Sequence, residues 1–328
     1  MLLFAAHDPG AKNNIRPVYE DALSLGHEAQ FLDLAINRGP MEQANARKLI
    51  EGGKITTAIL GCSSNQGEWP LIRACKESWV PTGMVVDIGT LTKIDSMTPD
   101  DFPSRFMVSN QSCYEEVIQL GAKPASVGVT GDCHLEVLSN KVGPDESETV
   151  RNHYGLAGDA SVISFYGSPY NTQDTVDAVV SLAELLPKID INLPAVIVRP
   201  RPRTRHMEVL ELTCLPLPFI HFDGDSTISN RALLSASLFS LSMASTVTLE
   251  SLVLGTPSAF FQIGWDFNDL NHLYRNLVDI ERIRTEEQLH EFVAAVARKE
   301  GPTLTGNVEN HRVALARTWL VVEELMAG

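Results

Sequence analysis

The stretch that decides the fold is Leu233–Gln262, LLSASLFSLSMASTVTLESLVLGTPSAFFQ. An apolar run at Leu238–Ser242 predicts a strand, and apolar spacing over Thr248–Leu254 predicts a helix directly after it. Gly255-Thr256-Pro257 ends that helix, and Ser258–Gln262 predicts a second strand. Strands joined through a helix pair in parallel with a right-handed crossover, so this stretch predicts one βαβ unit of an α/β sheet.

The same alternation of strand, loop and helix runs along the rest of the chain. It begins at Leu2–Ala6, is interrupted by the Gly-, Pro- and acid-containing segment Lys141–Asp159, and resumes at Val162–Tyr166. We therefore expect an α/β protein of two Rossmann-like, doubly wound domains with parallel sheets, facing each other across a cleft. The expected divisions are residues 1–150 for the N-terminal domain, 151–306 for the C-terminal domain, and 307–328 for a final helix that crosses back to the first domain.

Composition excludes several classes of protein. The 328 residues include 26 Lys and Arg against 41 Asp and Glu, a formal net charge of −15. Such a chain lacks the basic surface that nucleic acid or anionic lipid requires, so neither is expected as a partner. The five cysteines have no metal-binding spacing and no apolar run reaches about 18 residues, and no secretory leader is expected. These features predict a reduced, cytoplasmic protein without a membrane-spanning segment, and they are compatible with a homo-oligomer.

The helix of the opening stretch begins with residues suited to a nucleotide. Ser245 and Thr246 stand where unpaired helix N–H groups favour an anion, and their hydroxyls add donors. Glu250 lies one turn further on and has the chemistry to accept two ribose hydroxyls. An ordinary Ser or Thr helix cap with a first-turn acid would show the same residues.

Two other strand ends in the C-terminal half also suit phosphate. Gly167 permits close approach to the backbone and Ser168 can donate to a diphosphate, although an ordinary turn would look alike. Arg199 ends a further strand and begins a cluster of four arginines over Arg199–Arg205. Guanidinium groups match phosphate oxygens, whereas the alternative is a solvated basic loop paired with surface acids.

The first strand of the N-terminal half leads into a polar loop, His7-Asp8-Pro9-Gly10-Ala11-Lys12-Asn13-Asn14. Asp8 or His7 could act as the general base on a hydroxyl, and the sequence does not choose between them. Asn13 and Asn14 are expected either to bind a sugar or to cap the following helix. Further candidates for sugar or acceptor binding stand after other strands and at the domain junction: Asp87, Asp132, His134 and Asp266.

Taken together, these features resemble the GT-B superfamily of nucleotide-sugar enzymes, which includes glycosyltransferases, UDP-N-acetylglucosamine 2-epimerases and related hydrolases. The resemblance rests on three segments: Ser245-Thr246…Glu250…Gly255-Thr256-Pro257, Arg199-Pro200-Arg201-Pro202-Arg203 and Val129-Thr130-Gly131-Asp132. Arg201 departs from the family pattern, which has a histidine there, and Asp132 stands where the pattern has an asparagine. The resemblance implies a C-terminal half that binds a nucleotide diphospho-sugar and an N-terminal half that binds an acceptor.

The function expected from this resemblance is glycosyl transfer from a nucleotide diphospho-sugar to a soluble or peripheral acceptor, a small molecule or a glycan, as in polysaccharide biosynthesis. A nucleotide-sugar epimerase, mutase or hydrolase on the same fold is the first alternative, and a non-catalytic nucleotide-sugar-binding protein is the second. Dinucleotide, Walker and nucleophile-elbow motifs are missing from the sequence. Arginines and helix N-termini could neutralise a leaving diphosphate, so neither a metal nor a tightly bound cofactor is expected.

Overall fold

The structure, a computed structural model, describes residues 1–35, 41–63, 65–86, 94–140, 146–167, 172–189, 195–200, 219–224, 226–243, 245–264, 280–300 and 311–328. These residues form two compact units. The first unit holds the described residues up to Asn140 together with 311–328, and the second holds those from 146 to 300. Across these ranges, no helix has the length and apolar character needed to cross a membrane.

The first unit is built on a parallel sheet of six strands in the order β2-β1-β3-β4-β5-β6. The strands are β1 (Leu2–Ala6), β2 (Ala29–Asp33), β3 (Thr57–Leu60), β4 (Thr82–Val86), β5 (Arg105–Val108) and β6 (Val127–Val129). The helices are α1 (Pro9–Ser24), α2 (Gln43–Gly52), α3 (Trp69–Glu77), α4 (Gln111–Gln119), α5 (Cys133–Asn140) and the C-terminal helix Ala314–Ala327.

Helices cover both faces of this sheet, which explains why its central strands are continuously apolar. Successive side chains of β1 point to opposite faces, so Leu3 packs with Leu71 of α3 while Phe4 packs with Ile15 of α1. The C-terminal helix joins the second of these clusters through Trp319. Strands buried on both faces have no polar side to alternate, as expected for a parallel sheet.

The second unit is built on another parallel sheet of six strands, in the order β12-β11-β10-β7-β8-β9. The strands are β7 (Val162–Tyr166), β8 (Ala195–Arg199), β9 (Ile220–Phe222), β10 (Phe239–Ser242), β11 (Ser258–Phe261) and β12 (Arg282–Ile283). The helices are α6 (Ser147–His153), α7 (Thr172–Leu185), α8 (Asn230–Ala236), α9 (Val247–Val253) and α10 (Glu286–Ala297). The expected class, α/β with two doubly wound parallel sheets, is confirmed. Helix α6 spans the expected division at residue 150 and lies in the second unit.

Each sheet reverses its strand order at one place, and this place matters for function. In the first sheet the chain goes from β1 to β2 on one side and then returns to β3 on the other. In the second sheet β7 leads to β8 and β9 on one side, and β10 lies on the other. Ligands of open α/β sheets bind beyond the carboxyl ends of the strands at such a reversal. The residues that follow β1 and β3, and those that follow β7 and β10, are therefore the places to look for a site.

Candidate functional site

His7 and Asp8 form a hydrogen-bonded pair at the carboxyl end of β1. Asp8 is the N-cap residue of α1, and His7 Nδ1 lies 2.9 Å from Asp8 Oδ1. The side chains are only 20% and 12% exposed, so both are partly shielded from water. A carboxylate in this position orients the imidazole ring. The pair has the chemistry of a general acid–base couple, and it includes both of the catalytic candidates expected from the sequence.

The loop after β3 supplies two polar residues that sequence reasoning missed, Ser63 and Glu68. Ser63 Oγ accepts hydrogen bonds from the backbone N–H groups of Asp8 at 2.9 Å and His7 at 3.2 Å. Glu68 Oε1 accepts from the His7 N–H at 2.9 Å and from the Ser63 hydroxyl. The four residues therefore form one cluster at the strand reversal of the first sheet.

Glu68 is an unusual member of this cluster because it is an acid that is 1% exposed. Burial raises the pKa of its carboxyl, and the charge of Asp8 raises the pKa further, although hydrogen bonds from Ser63 and His7 oppose the shift. Its second oxygen, Oε2, has no hydrogen-bond partner among the described residues. The Glu68 carboxyl, whose pKa is higher than that of an ordinary glutamate, therefore contacts the backbone of His7.

Gly61 allows helix α1 to approach the end of β3 closely. A Cβ at this position would lie 2.8 Å from the Cβ atoms of both Ala6 and Ala11. Contacts this short do not occur between real side chains, so only glycine fits here without displacing the strand or the helix. The close packing helps to hold the start of α1, and with it Asp8, beside the loop that follows β3.

The two asparagines of the polar loop do not cap a helix, contrary to one of the two expectations. Helix α1 begins at Pro9, so Asn13 and Asn14 lie within it. Proline suits the first helical position because its missing N–H needs no partner there. Asn13 is exposed, whereas Asn14 is 5% exposed and its Oδ1 has no partner among the described residues. Sugar binding by either residue remains a prediction.

Lys12 pairs with an acid of β2, the strand that lies on the opposite side of β1 from β3. Its Nζ donates to both carboxylate oxygens of Asp33, at 3.0 and 3.1 Å. Burial opposes ionisation of Asp33, but hydrogen bonds from Lys12 and the Ala35 N–H, with the charges of Lys12 and His7, hold its pKa below the ordinary value. The ion pair ties α1 to the end of β2.

Asp132 caps a helix at the far edge of the first sheet. Its Oδ1 accepts from the Leu135 N–H at 3.0 Å, and its own N–H donates to His311 Nδ1 at 3.0 Å. The strand before it, β6, is four positions from β1, about 19 Å at roughly 4.8 Å per strand. His134 lies within α5 and is half-buried. The described contacts of Asp132 therefore serve helix capping and the segment before the C-terminal helix, and a sugar contact by either residue remains a prediction.

In the second unit, Gly167 lies at the strand reversal and packs tightly against α7. It follows β7, whose last residue Tyr166 pairs with Ser242 at the end of β10. A Cβ on Gly167 would lie 2.7 Å from Thr175 Oγ1 and 2.8 Å from Thr175 Cγ2. Glycine is therefore required by the close approach of α7, and its own N–H donates to the Arg199 carbonyl of β8 at 3.3 Å.

Ser245, Thr246 and Glu250 follow β10 on the other side of this reversal. Ser245 Oγ accepts from the Val247 N–H at 3.3 Å, and the Thr246 carbonyl accepts from the Glu250 N–H at 3.2 Å. Glu250 is 8% exposed and interacts electrostatically with the buried Tyr166 hydroxyl, raising the pKa of that hydroxyl in addition to the larger effect of burial. The sequence-predicted trio is thus brought to the carboxyl edge of the second sheet, next to Gly167.

Buried hydroxyl groups fasten the helix that carries Glu250 to the sheet. Ser242 Oγ lies 2.7 Å from Thr248 Oγ1, and Ser240 Oγ lies 2.8 Å from Ser251 Oγ. Ser240 Oγ also lies 2.6 Å from Ser258 Oγ on the next strand. These small hydroxyl side chains form hydrogen bonds with one another, so α9 packs closely on β10 and their buried oxygens have partners.

Arg199 donates to three acceptors within the second unit, and a phosphate contact by this residue remains a prediction. Its Nε donates to Asp223 Oδ2 at 2.5 Å, one terminal nitrogen donates to the Ile228 carbonyl at 2.6 Å, and the other donates to Asn230 Oδ1. Arg199 is 7% exposed and Asp223 is 1% exposed. The guanidinium is occupied by acceptors of the second unit, so its geometry gives no support to the expected phosphate contact. The pairing joins β8, the end of β9 and the start of α8.

Three of the expected site residues, Ser168, Asp87 and Asp266, lie outside the described residues, as do Arg201, Arg203 and Arg205. Among the residues that are described, no group of three or more His, Cys, Asp or Glu side chains is placed to hold a metal ion.

Comparison with known proteins gives a likeness in fold rather than in sequence. No protein-family model and no curated protein sequence matches this chain. The UDP-GlcNAc 2-epimerase of Methanocaldococcus jannaschii superposes with a TM-score of 0.73 at 11% identity, over 98% of this chain and 99% of that one. The UDP-GlcNAc 2-epimerase of Neisseria meningitidis, bound to UDP-GlcNAc, gives 0.72 at 12% identity over 100% of both chains. Anabaena HepE, in complex with UDP and glucose, gives 0.63 at 11% identity over 99% and 98%. The chain therefore has the α/β fold of the UDP-GlcNAc 2-epimerases, as the GT-B resemblance implied.

Proposed function

We propose that the protein is an enzyme that acts on a UDP-sugar, and that its reaction is epimerisation of the sugar. The observation that carries the proposal is the likeness in fold over the whole length of two UDP-GlcNAc 2-epimerases, one of them bound to UDP-GlcNAc. The placement of the candidate residues at the strand reversals of both sheets supports it. Fold alone does not establish a reaction, so the proposal depends on these residues and their chemistry.

The His7–Asp8 pair suits epimerisation. Inversion of the sugar carbon next to the anomeric centre can proceed by elimination and re-addition. A base removes the proton on one face while the C–H electron pair forms a double bond and UDP leaves, and a proton is returned on the other face as UDP adds back. Hydrogen-bonded at 2.9 Å and partly shielded from water, His7 and Asp8 form a couple that can carry out the proton transfer on one of the two faces. Epimerisation also needs no second substrate. Glycosyl transfer, the first expectation from the sequence, is less well supported than this alternative because the full-length neighbours with TM-scores of 0.73 and 0.72 are UDP-GlcNAc 2-epimerases.

The second unit is proposed to hold the nucleotide. Gly167 and Ser245 follow adjacent strands at the strand reversal, where a diphosphate can approach, and Ser245 offers a hydroxyl. Glu250, almost fully buried beside them, has the acceptor chemistry for the two hydroxyls of a ribose. The proposal includes no metal, so removing divalent ions with EDTA should leave nucleotide binding unchanged.

Thermal unfolding in the presence of UDP tests the nucleotide assignment. UDP should raise the Tm of the wild type and of Glu184→Gln, a control that removes an exposed acid from α7 of the same unit. Glu250→Gln should lose most of the shift because its amide is a poorer acceptor for two hydroxyls. A full UDP shift in Glu250→Gln would remove Glu250 from the nucleotide site.

Incubation of the protein with UDP-GlcNAc alone, followed by NMR, tests the reaction. The expected product is a second UDP-sugar epimer, formed without an acceptor and carrying deuterium at the inverted carbon when the solvent is D2O. His7→Gln and Asp8→Asn should each lower turnover by about 10²–10⁴-fold while keeping the UDP shift. UDP binding without any conversion would favour a binding protein. Conversion that occurs only after an acceptor is added would favour glycosyl transfer.

A further inference from the structure

The backbone of the His7–Asp8 turn is held by side chains from another strand. The N–H groups of His7 and Asp8 lie between β1 and α1, and both donate to Ser63 Oγ. The His7 N–H also donates to Glu68 Oε1. Buried backbone N–H groups require partners, so the conformation of this turn depends on Ser63 and Glu68, which lie 55 and 61 residues away from His7–Asp8 along the chain.

Ser63 and Glu68 are themselves linked in a defined direction. The Ser63 oxygen accepts two backbone N–H bonds, so its own hydroxyl hydrogen is directed to Glu68 Oε1. Glu68 anchors that hydroxyl from the residue immediately before helix α3. Removal of the Glu68 acceptor would free the Ser63 hydroxyl to rotate, and the two N–H bonds would lose their fixed partner.

Stability does not account for an acid in this place. Glu68 is 1% exposed, and the charged group that acts on it is Asp8, which has the same sign. Burying an acid without a cation is unfavourable, so Glu68 is kept in this place at a cost to stability. Glu68 Oε1 accepts from both the His7 N–H and the Ser63 hydroxyl, so this buried acid is placed to align the acid–base pair.

We propose that Glu68 and Ser63 are positioning residues that hold His7 and Asp8 in the geometry for proton transfer. This inference rests on the proposed function, in which the His7–Asp8 pair does the acid–base work. Ser63 fixes the backbone of both residues, and Glu68 fixes Ser63. The Nδ1 atom of His7 is thereby kept against Asp8 Oδ1, and Nε2 is the ring nitrogen left to face a substrate.

The experiment uses ¹⁵N-histidine labelling of the full chain, with the His7 signals assigned by their loss in His7→Gln. In the wild type, the neutral ring should carry its hydrogen on Nδ1, because Asp8 accepts from that atom. Ser63→Ala and Glu68→Leu should shift His7 to a mixture of tautomers, since the pair is no longer aligned. Ser63→Thr and Glu68→Gln keep the hydroxyl and the acceptor oxygen, so they should retain the wild-type signature, as should the exposed control Glu20→Gln.

Turnover provides a second measurement. Ser63→Ala and Glu68→Leu should lower kcat by about 10–100-fold, the effect of a small misalignment, while KM and the UDP-induced Tm shift stay near the wild type. Wild-type His7 tautomers in Ser63→Ala and Glu68→Leu would overturn the inference, even if their Tm falls. If the wild type converts no UDP-sugar, the proposed function fails, and the tautomer measurement still decides whether Ser63 and Glu68 position His7. The conservative variants guard against a result that reflects misfolding alone.

Discussion

The buried pair of Arg199 and Asp223 allows the most direct test of the second unit's geometry. Asp223→Ala removes the carboxylate that accepts from Arg199 Nε at 2.5 Å and from the Ser226 N–H at 3.0 Å. The guanidinium would remain in a site where it is 7% exposed, without its opposite charge. Its bonds to Ile228 and Asn230 satisfy hydrogen-bond donors but bring no negative charge.

The expected loss is large because a buried charge is left uncompensated. Breaking such a pair from one side costs about 3–5 kcal/mol. At roughly 2–4 °C per kcal/mol for a unit of this size, the Tm of the second unit should fall by about 6–20 °C. The double variant Arg199→Met with Asp223→Leu should recover much of this loss, since it leaves no unpaired charge in the interior.

Differential scanning calorimetry is the suitable assay because it separates the transitions of two units if they unfold independently. Asp159→Ala, which removes an exposed acid from the same unit, is the control and should change the free energy of unfolding by no more than about 0.5 kcal/mol. A fall in Tm for Asp223→Ala no larger than that of the control would refute the reasoning. Loss of the UDP shift in the folded double variant would return Arg199 to the phosphate site.

Three further predictions concern single residues. Gly167→Ala should lower the free energy of unfolding, measured by urea denaturation, by about 1–3 kcal/mol, because its Cβ would lie 2.7 Å from Thr175 Oγ1. Adding Thr175→Ala should restore part of this loss. Strictly additive effects of the two substitutions would contradict the steric clash. Burial raises the pKa of the Cys75 thiol to about 12, so native protein should resist alkylation there at about pH 8 and react after denaturation, as peptide mass spectrometry would show. Because the pKa of Glu68 is raised in the folded state, the stability of the wild type should fall as pH rises above the ordinary glutamate range. The Tm of Glu68→Gln minus the Tm of the wild type should therefore increase between about pH 5 and pH 8. A Tm difference that does not change with pH would contradict this prediction.

Several elements of the fold could be predicted from local sequence alone. Apolar runs such as Leu2–Ala6 identify strands that are buried on both faces, and their alternation with helices indicates parallel sheets. Helix α1 was harder to place, because apolar spacing begins only at Ile15 whereas the helix begins at Pro9. Proline at the first helical position was the available signal.

The candidate site was only partly predictable, because strand order is not a local property. His7 and Asp8 stand out as polar residues after an apolar strand, but nothing in the sequence indicates that Ser63 and Glu68 lie beside them. Arg199 looked available for phosphate because its main partner, Asp223, is 24 residues away in the chain.

By itself, the sequence determined the α/β class, the two-part organisation and the residue types suited to acid–base and nucleotide chemistry. These properties depend on periodicity and composition, which can be recognised from residues that are close together in the chain. Only the tertiary structure decided which strand ends are adjacent. It therefore also decided which polar residues lie together and which, like Arg199, are bonded to other buried groups. The physical reason is that sheet pairing joins segments far apart in the chain, so β1 meets β3 and β7 meets β10 only in the folded state.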